Sequence, residues 1–256
     1  MTRIIMCGCL GAMGRMITGL AEEDPDTEIV AGVDVRADRD VKYPIFASIA
    51  DCDIEADVVI DFSRPELLSD ILNYCEERQI GAVLCTTGYT DEQVADIEDA
   101  AKRAPILRSA NMSLGINVLM KLLQDATKVF GTEGFDIEIV EKHHNQKVDA
   151  PSGTALALAD AVNEAAGDAY HYVYDRSDKR EKRDKKELGI SAVRGGTIVG
   201  DHDVIFAGSD EVITFSHRAY SKAVFGKGAL SAAKFMTGKA PGRYDMSDVI
   251  AGQTGN

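Results

Sequence analysis

Short apolar runs alternate with amphipathic stretches along the first half of the chain. RIIMCG (3–8), EIVAGVD (28–34), ADVVIDFS (56–63), GAVLCTTG (81–88) and PILRSAN (105–111) each carry the dense apolar content of a strand. Between them lie helical patterns, MGRMITGLAEE after the first run and DEQVADIEDAAKRA after the fourth. Pro65 suits the first turn of the helix after the third run, and Thr90 and Gln93 have the spacing of a capping box. Such alternation predicts a parallel sheet with helices on both faces.

The pattern changes near residue 113. SLGINVLMKLLQDATKVFG repeats apolar residues at three-and-four spacing through Val118, Leu119, Leu122, Leu123, Ala126, Val129 and Phe130, which predicts one core-facing helix. FDIEIVEKHH, a helix beginning near Ser152, and the strand-like ISAVRGG, TIVGDHDVIFAG and DEVITFSHRAY follow. Clustered strands with short polar turns predict a second, α+β domain with a mixed or antiparallel sheet. DRSDKREKRDKKELG (175–189) has mixed charge and almost no apolar residues, so it reads as a solvated, mobile loop, with a lid over substrate as the second reading. A last helix is expected near 227–237, followed by a short tail.

Composition narrows the function classes. The 256 residues, 45% hydrophobic and 27% charged, suit a globular protein with a real core. A formal charge of −14 argues against nucleic acid as a partner. No apolar run is long enough to span a bilayer, and the start lacks the pattern of a secretory signal, so a cytoplasmic protein is expected. Five cysteines, Cys7, Cys9, Cys52, Cys75 and Cys85, sit mainly in apolar stretches and read as buried, reduced thiols with no metal.

Two motifs carry chemistry. Gly8, Gly11 and Gly14 occupy the junction of the first strand and its helix, where glycine lets backbone approach a pyrophosphate and the helix start supplies N–H groups. Asp34 ends the next strand, where its carboxylate would hold ribose hydroxyls and repel a 2′-phosphate. NADH is therefore the preferred cofactor and NADPH the alternative, with Arg36 softening the choice. The second motif is EKHHNQKVDAPSGTA (141–155). It sets His143 and His144 near the end of a strand, with Lys147 nearby. Ser152 then forms a natural N-cap, so that Gly153, Thr154 and Ala155 present backbone N–H groups to a carboxylate. Together these describe proton transfer on a small carboxylate. A third cluster, His217, Arg218 and Lys222, reads as a solvated strand edge.

With these residues in place the chain resembles the 4-hydroxy-tetrahydrodipicolinate reductase (dihydrodipicolinate reductase) family. EKHHNQKVDAPSGTAL matches that family's signature, and GCLGAMGRM, DFSRPE, TTGY, ANMSLGINV, VRGGTIVGDH and FGKGAL support it in order. The resemblance implies a Rossmann-like dinucleotide-binding domain from 1–113 and 223–256. It also implies an α+β substrate-binding and oligomerisation domain with a mixed sheet from 114–222, in a homotetramer. It places the cofactor along Gly8, Cys9, Leu10, Gly11, Ala12 and Met13, with Asp34 at the ribose. Cys85, Thr86 and Thr87, and Ala110, Asn111 and Met112, would flank the nicotinamide. His143 would be the acid–base group, Lys147 a proton donor, and His144, Lys147, Ser152, Gly153 and Thr154 would bind a small dicarboxylate.

The implied reaction removes water from the hydroxylated ring, adds hydride at ring C4 and protonates the resulting enamine, in lysine biosynthesis through diaminopimelate. Cys85 departs from the family's usual glycine, Ala12 from a common arginine, and Lys222 stands near an arginine that some members use. Two other readings compete. A different two-domain dehydrogenase explains the N-terminal half but not the carboxylate-binding cluster. A non-catalytic nucleotide sensor leaves the proton-transfer groups without a purpose.

Overall fold

The computed structural model describes residues 1–36 and 41–254. The chain forms two compact units, one of Met1–Leu114 with the segment from Ala223 onward, the other of Gly115–Lys222.

The first unit begins β1 (Thr2–Cys7), α1 (Ala12–Glu23), β2 (Thr27–Val33), β3 (Ile45–Phe46), β4 (Val58–Asp61), α2 (Leu68–Arg78), β5 (Gly81–Leu84), α3 (Asp91–Ala100) and β6 (Pro105–Arg108). The second holds α4 (Leu114–Phe130), β7 (Asp136–His143), α5 (Gly153–Ala165), β8 (His171–Tyr174), β9 (Glu187–Arg194), β10 (Gly200–Ala207) and β11 (Val212–Ala219). The chain then returns to the first unit as α6 (Ala223–Met236), β12 (Gly242–Tyr244) and α7 (Met246–Thr254).

The first sheet runs β12-β6-β5-β4-β1-β2-β3, and every pairing in it is parallel. Order 3-2-1-4-5-6 is that of a Rossmann-like fold, with β12 added at the far edge. Because side chains alternate along a strand, β1 feeds two cores. Ile4 and Met6 join one with α1, α6 and α7, while Ile5 and Cys7 join another with α2 and α3. Both faces being covered explains why β4 and β5 are buried throughout. Thr90 and Gln93 form the expected capping box of α3, and Pro65 opens a short 3₁₀ turn, Pro65–Leu67, directly ahead of α2.

The second sheet runs β11-β10-β7-β9-β8 and is mixed, antiparallel on the β10 and β11 side and parallel on the β9 and β8 side. One face packs on α4 and α5 through Leu119, Leu123, Leu158 and Val162 against Ile137, Ile139, Val204 and Phe206. The predicted stripe on α4 needs correction, since Val118, Leu122 and Val129 are exposed. At 3.6 residues per turn they lie roughly 100° around the helix from the buried Ile116, Leu119 and Leu123. The helix is apolar over a wider arc than one contact face, and the spacing merged two stripes.

The charged segment is also more ordered than a solvated loop. Arg183 reaches back to β7, pairing with Glu138 at 2.9 Å and Asp136 at 3.0 Å. Arg176 pairs with the buried Glu187. Two of the cations are thus anchors, which a run of mixed charge cannot reveal.

Candidate active site

In the first unit the glycine turn follows from close backbone approach. Gly8 has φ +76°, and a Cβ there would lie 2.5 Å from the carbonyl oxygen of Phe62. A Cβ on Gly14 would lie 2.3 Å from the carbonyl oxygen of Gly8, so only glycine lets α1 start so near the turn. Gly11 caps α1 without a side chain, which leaves the helix start to a ligand. The side chains of Cys9 and Leu10 are buried in the core and their N–H groups donate to Val33 O and Asp34, while Ala12 is exposed and Met13 half-buried. The Asp34 carboxylate accepts a hydrogen bond from the Leu10 N–H at 3.2 Å and from the Arg36 guanidinium at 3.2 Å. Burial raises its pKa, but those bonds outweigh burial and hold it below the ordinary value.

The other predicted residues share this sheet edge. Gly8 follows β1, Asp34 follows β2, Cys85, Thr86 and Thr87 follow β5, and Ala110, Asn111 and Met112 lie just beyond β6, all at carboxyl ends of parallel strands. Ligands of open α/β sheets bind at that edge. Burial pushes the Cys85 thiol well up, with the Asp61 carboxylate adding to it, so the thiol stays protonated. Asn111 Oδ1 accepts the Ser113 N–H at 2.8 Å, shaping the loop. Asp61, at the end of β4, was not among the predicted site residues. It is fully buried and accepts from Ser63 N–H at 2.9 Å and Tyr89 O–H at 3.2 Å, and burial pushes its pKa up. These glycine cradles, the uncapped helix start and the adjacent carboxylate fit a pyridine dinucleotide.

In the second unit His143 is the last residue of β7, and Glu141 lies two residues earlier on the same face. His143 Nδ1 meets Glu141 Oε2 at 2.7 Å. Arg194, on β9, grips both oxygens of that carboxylate at 2.7 Å each, and the Ser152 N–H donates to Oε1 at 2.9 Å. Burial raises the Glu141 pKa, but Arg194, His143 and the Ser152 N–H more than offset it, so the carboxylate stays ionised. Ser152 caps α5 as predicted, its Oγ accepting from Ala155 N–H at 3.2 Å. The expectation that Ala155 offers a free N–H is therefore corrected, because the cap already uses it. Gly153 is exposed and Thr154 half-buried at the same helix start.

On the other side of β7, β10 brings His202, whose Nε2 lies 3.1 Å from Ser152 Oγ and whose ring meets that of His143 edge-on at 5.2 Å. Burial and the neighbouring His143 lower the His202 pKa to about 4, so it is neutral at pH 7. His144 is half-buried, and Lys147 pairs with Asp149 at 2.8 Å. Arg218 and Lys222 are exposed, whereas His217 is half-buried opposite His202, and burial lowers its pKa. Glu141, Arg194 and His202 were missed as site residues, although their segments had been singled out.

A Cβ on Gly200 would lie 3.0 Å from His143 Nε2, so glycine there keeps space beside the ring. If His143 exchanges a proton with substrate, Gly200→Ala should lower kcat about tenfold with KM nearly unchanged, the cost of slightly misplacing that ring. Steady-state kinetics check this, and unaltered kcat would show that the ring tolerates the contact.

Comparison with known proteins places these features in context. Residues 2–112 match the family described as dihydrodipicolinate reductase, N-terminus, and residues 115–250 match dihydrodipicolinate reductase, C-terminus. The 4-hydroxy-tetrahydrodipicolinate reductase of Caldanaerobacter subterraneus subsp. tengcongensis is 53% identical over 250 residues, covering 98% of both chains. That of Clostridium tetani is 52% identical over 98% of this chain and 97% of its own. The solved dipicolinate-bound dihydrodipicolinate reductase from Paenisporosarcina sp. TG-14 shares the fold, with a TM-score of 0.81 at 23% identity over 96% of this chain and 97% of that one.

Proposed function

The chain belongs to the dihydrodipicolinate reductase family, and from that premise we propose how its residues perform the reaction. It is an oxidoreductase that uses a pyridine nucleotide to reduce 4-hydroxy-tetrahydrodipicolinate in lysine biosynthesis through diaminopimelate. The observation that carries the assignment of roles is the joining of His143 and the capped start of α5 through one buried carboxylate, Glu141. It sets a proton-exchanging ring beside a seat for an anion.

A bound cofactor supplies hydride, and the chain supplies position, charge and protons. Gly8, Cys9, Leu10, Gly11, Ala12 and Met13 form the turn that would hold the pyrophosphate, through the N–H groups at the start of α1, and Asp34 would take the adenosine ribose. Cys85, Thr86 and Thr87 with Ala110, Asn111 and Met112 flank the nicotinamide. Ser152, Gly153, Thr154, His144 and Lys147 take the substrate's carboxylates, Lys147 leaving Asp149 to do so. The hydroxylated ring loses water to give a conjugated imine, and hydride adds at C4. His143 delivers the proton that the resulting enamine needs, while the Lys147 ammonium offsets developing negative charge and serves as a second donor. The family resemblance also supports a homotetramer working in the cytosol.

The Asp34 charge favours NADH. Arg36 already pairs with that carboxylate, so the preference is moderate, about fivefold to tenfold in kcat/KM. Asp34→Ser, which frees Arg36 for a 2′-phosphate, should reverse it. Parallel assays of both cofactors with freshly made product of dihydrodipicolinate synthase test this. A wild-type preference for NADPH would overturn the cofactor assignment, and no turnover with either would overturn the assigned reaction.

A further inference from the structure

The Glu141–Arg194 pair is more than an ion pair that closes the sheet. An ionised carboxylate only accepts hydrogen bonds. Arg194 donates to both Glu141 oxygens, and the Ser152 N–H donates to Oε1. The remaining contact, His143 Nδ1 to Oε2 at 2.7 Å, must therefore also be a donor's. The imidazole proton lies on Nδ1, and Nε2, beside the side-chain-free Gly200, is the atom left for exchange.

We propose that Glu141 is the positioning residue for His143, its carboxylate clamped by Arg194 so that Nδ1–H is held against Glu141 and Nε2 is the working atom, which takes up a second proton and passes it to the substrate. This rests on the reading of His143 as the proton donor. The same carboxylate ties the ring to the substrate seat, since its other oxygen holds the first backbone N–H of the α5 cap. Arg194 comes from β9, parallel to β7 with His143 directly opposite Arg194, so sheet register sets the clamp. The charged and titratable groups around His143 are Glu141 on its own strand, Arg194 on β9 and His202 on β10. His217 and Lys147 act on His202 in turn.

Glu141→Gln makes the test sharp. An amide nitrogen in place of Oε1 would face two donors, Arg194 and Ser152 N–H, so the amide oxygen stays there and the NH₂ turns to His143. A ring that must then accept at Nδ1 carries its single proton on Nε2 as a neutral imidazole, and the doubly protonated ring that delivers from Nε2 would set an Nδ1–H against the amide NH₂. Long-range proton–nitrogen spectra of the full-length enzyme at alkaline pH, with the His143 signals assigned by their loss in His143→Gln, should show Nδ1–H in the wild type and Nε2–H in Glu141→Gln. The same variant should lose about thirtyfold in kcat, the scale seen when a group that orients a functional histidine is removed, with KM changed by less than about threefold.

Glu141→Gln leaves the Arg194 charge uncompensated and sets the amide NH₂ near its Nη1, which risks misfolding. Glu141→Gln/Arg194→Met removes both charges, and Ser152 N–H still orients the amide, so this double variant should show the same tautomer switch. A wild-type ring protonated on Nε2 alone, or variants that retain kcat, would overturn the proposal. A fall in kcat without the switch overturns it too, because that marks a general structural defect. The spectra need no substrate, so they report on Glu141 even if the wild type fails to turn over the proposed substrate.

Discussion

Replacing His143 with alanine should lower kcat about 10²- to 10⁴-fold, the usual contribution of one positioned general acid or base. Among the described residues, Arg194 and the His143 ring are the ionisable side chains that hydrogen-bond Glu141, and the ring's Nε2 faces Gly200, which has no side chain. On the proposed roles, removing it takes away the proton that the enamine needs after hydride addition and leaves Ser152, Gly153 and Lys147 to bind carboxylates. The loss should therefore fall on kcat and leave KM within about threefold, the signature of an interaction realised only in the transition state. Cofactor affinity, read by fluorescence titration, serves as the control for the Gly8 to Gly14 turn and should not change. His143→Gln separates chemistry from packing, because it fills much of the ring's space without a titratable proton. An alanine variant that retains kcat would remove His143 from the mechanism and leave Lys147 as the donor to examine.

The main elements of both units were legible because they depend on local pattern. Continuous apolar runs gave the buried parallel strands, and the Thr90 and Gln93 pair and Ser152 gave two helix starts by their capping chemistry. Three short strands escaped, β3 (Ile45–Phe46), β8 (His171–Tyr174) and β12 (Gly242–Tyr244). Each has too few residues to show a period, and pairing at a sheet edge makes it a strand. The site divides in the same way. His143, Lys147 and Ser152 stand together in the sequence, and their neighbourhood was visible. Glu141 was within reach, since period two puts it on the same strand face as His143, although a lone acid does not stand out beside a cluster of cations. Arg194 and His202 reach the site only through the register of β9 and β10 against β7. A single sequence carries no direct signal of that register.

His202 makes folding itself sensitive to acid. The residue is 3% exposed, its Nε2 meets Ser152 Oγ, and its Nδ1 has no hydrogen-bond partner among the described residues. A buried N–H without an acceptor is costly, so the proton belongs on Nε2, which donates to Ser152. Protonating Nδ1 would bury a charge beside His143, which is why the pKa falls from 6.5 to about 4. The unfolded chain binds that proton at higher pH than the folded one, so stability is fully present above about pH 6.5 and lost as pH falls toward 4. A shift of that size corresponds to about 3 kcal/mol, more than a hundredfold in the unfolding equilibrium. His217, also lowered by burial, acts in the same direction, while Asp61, whose pKa burial raises, opposes it.

Comparison with His202→Gln isolates the one group. Glutamine keeps an N–H near the position of Nε2 but cannot titrate. Denaturant unfolding at one protein concentration, followed from pH 7 to pH 4.5, should show a drop about 2 kcal/mol larger in wild type than in the variant. Equal slopes for the two proteins would mean that His202 is protonated in the fold without cost, and would return the tautomer of Ser152's partner to question.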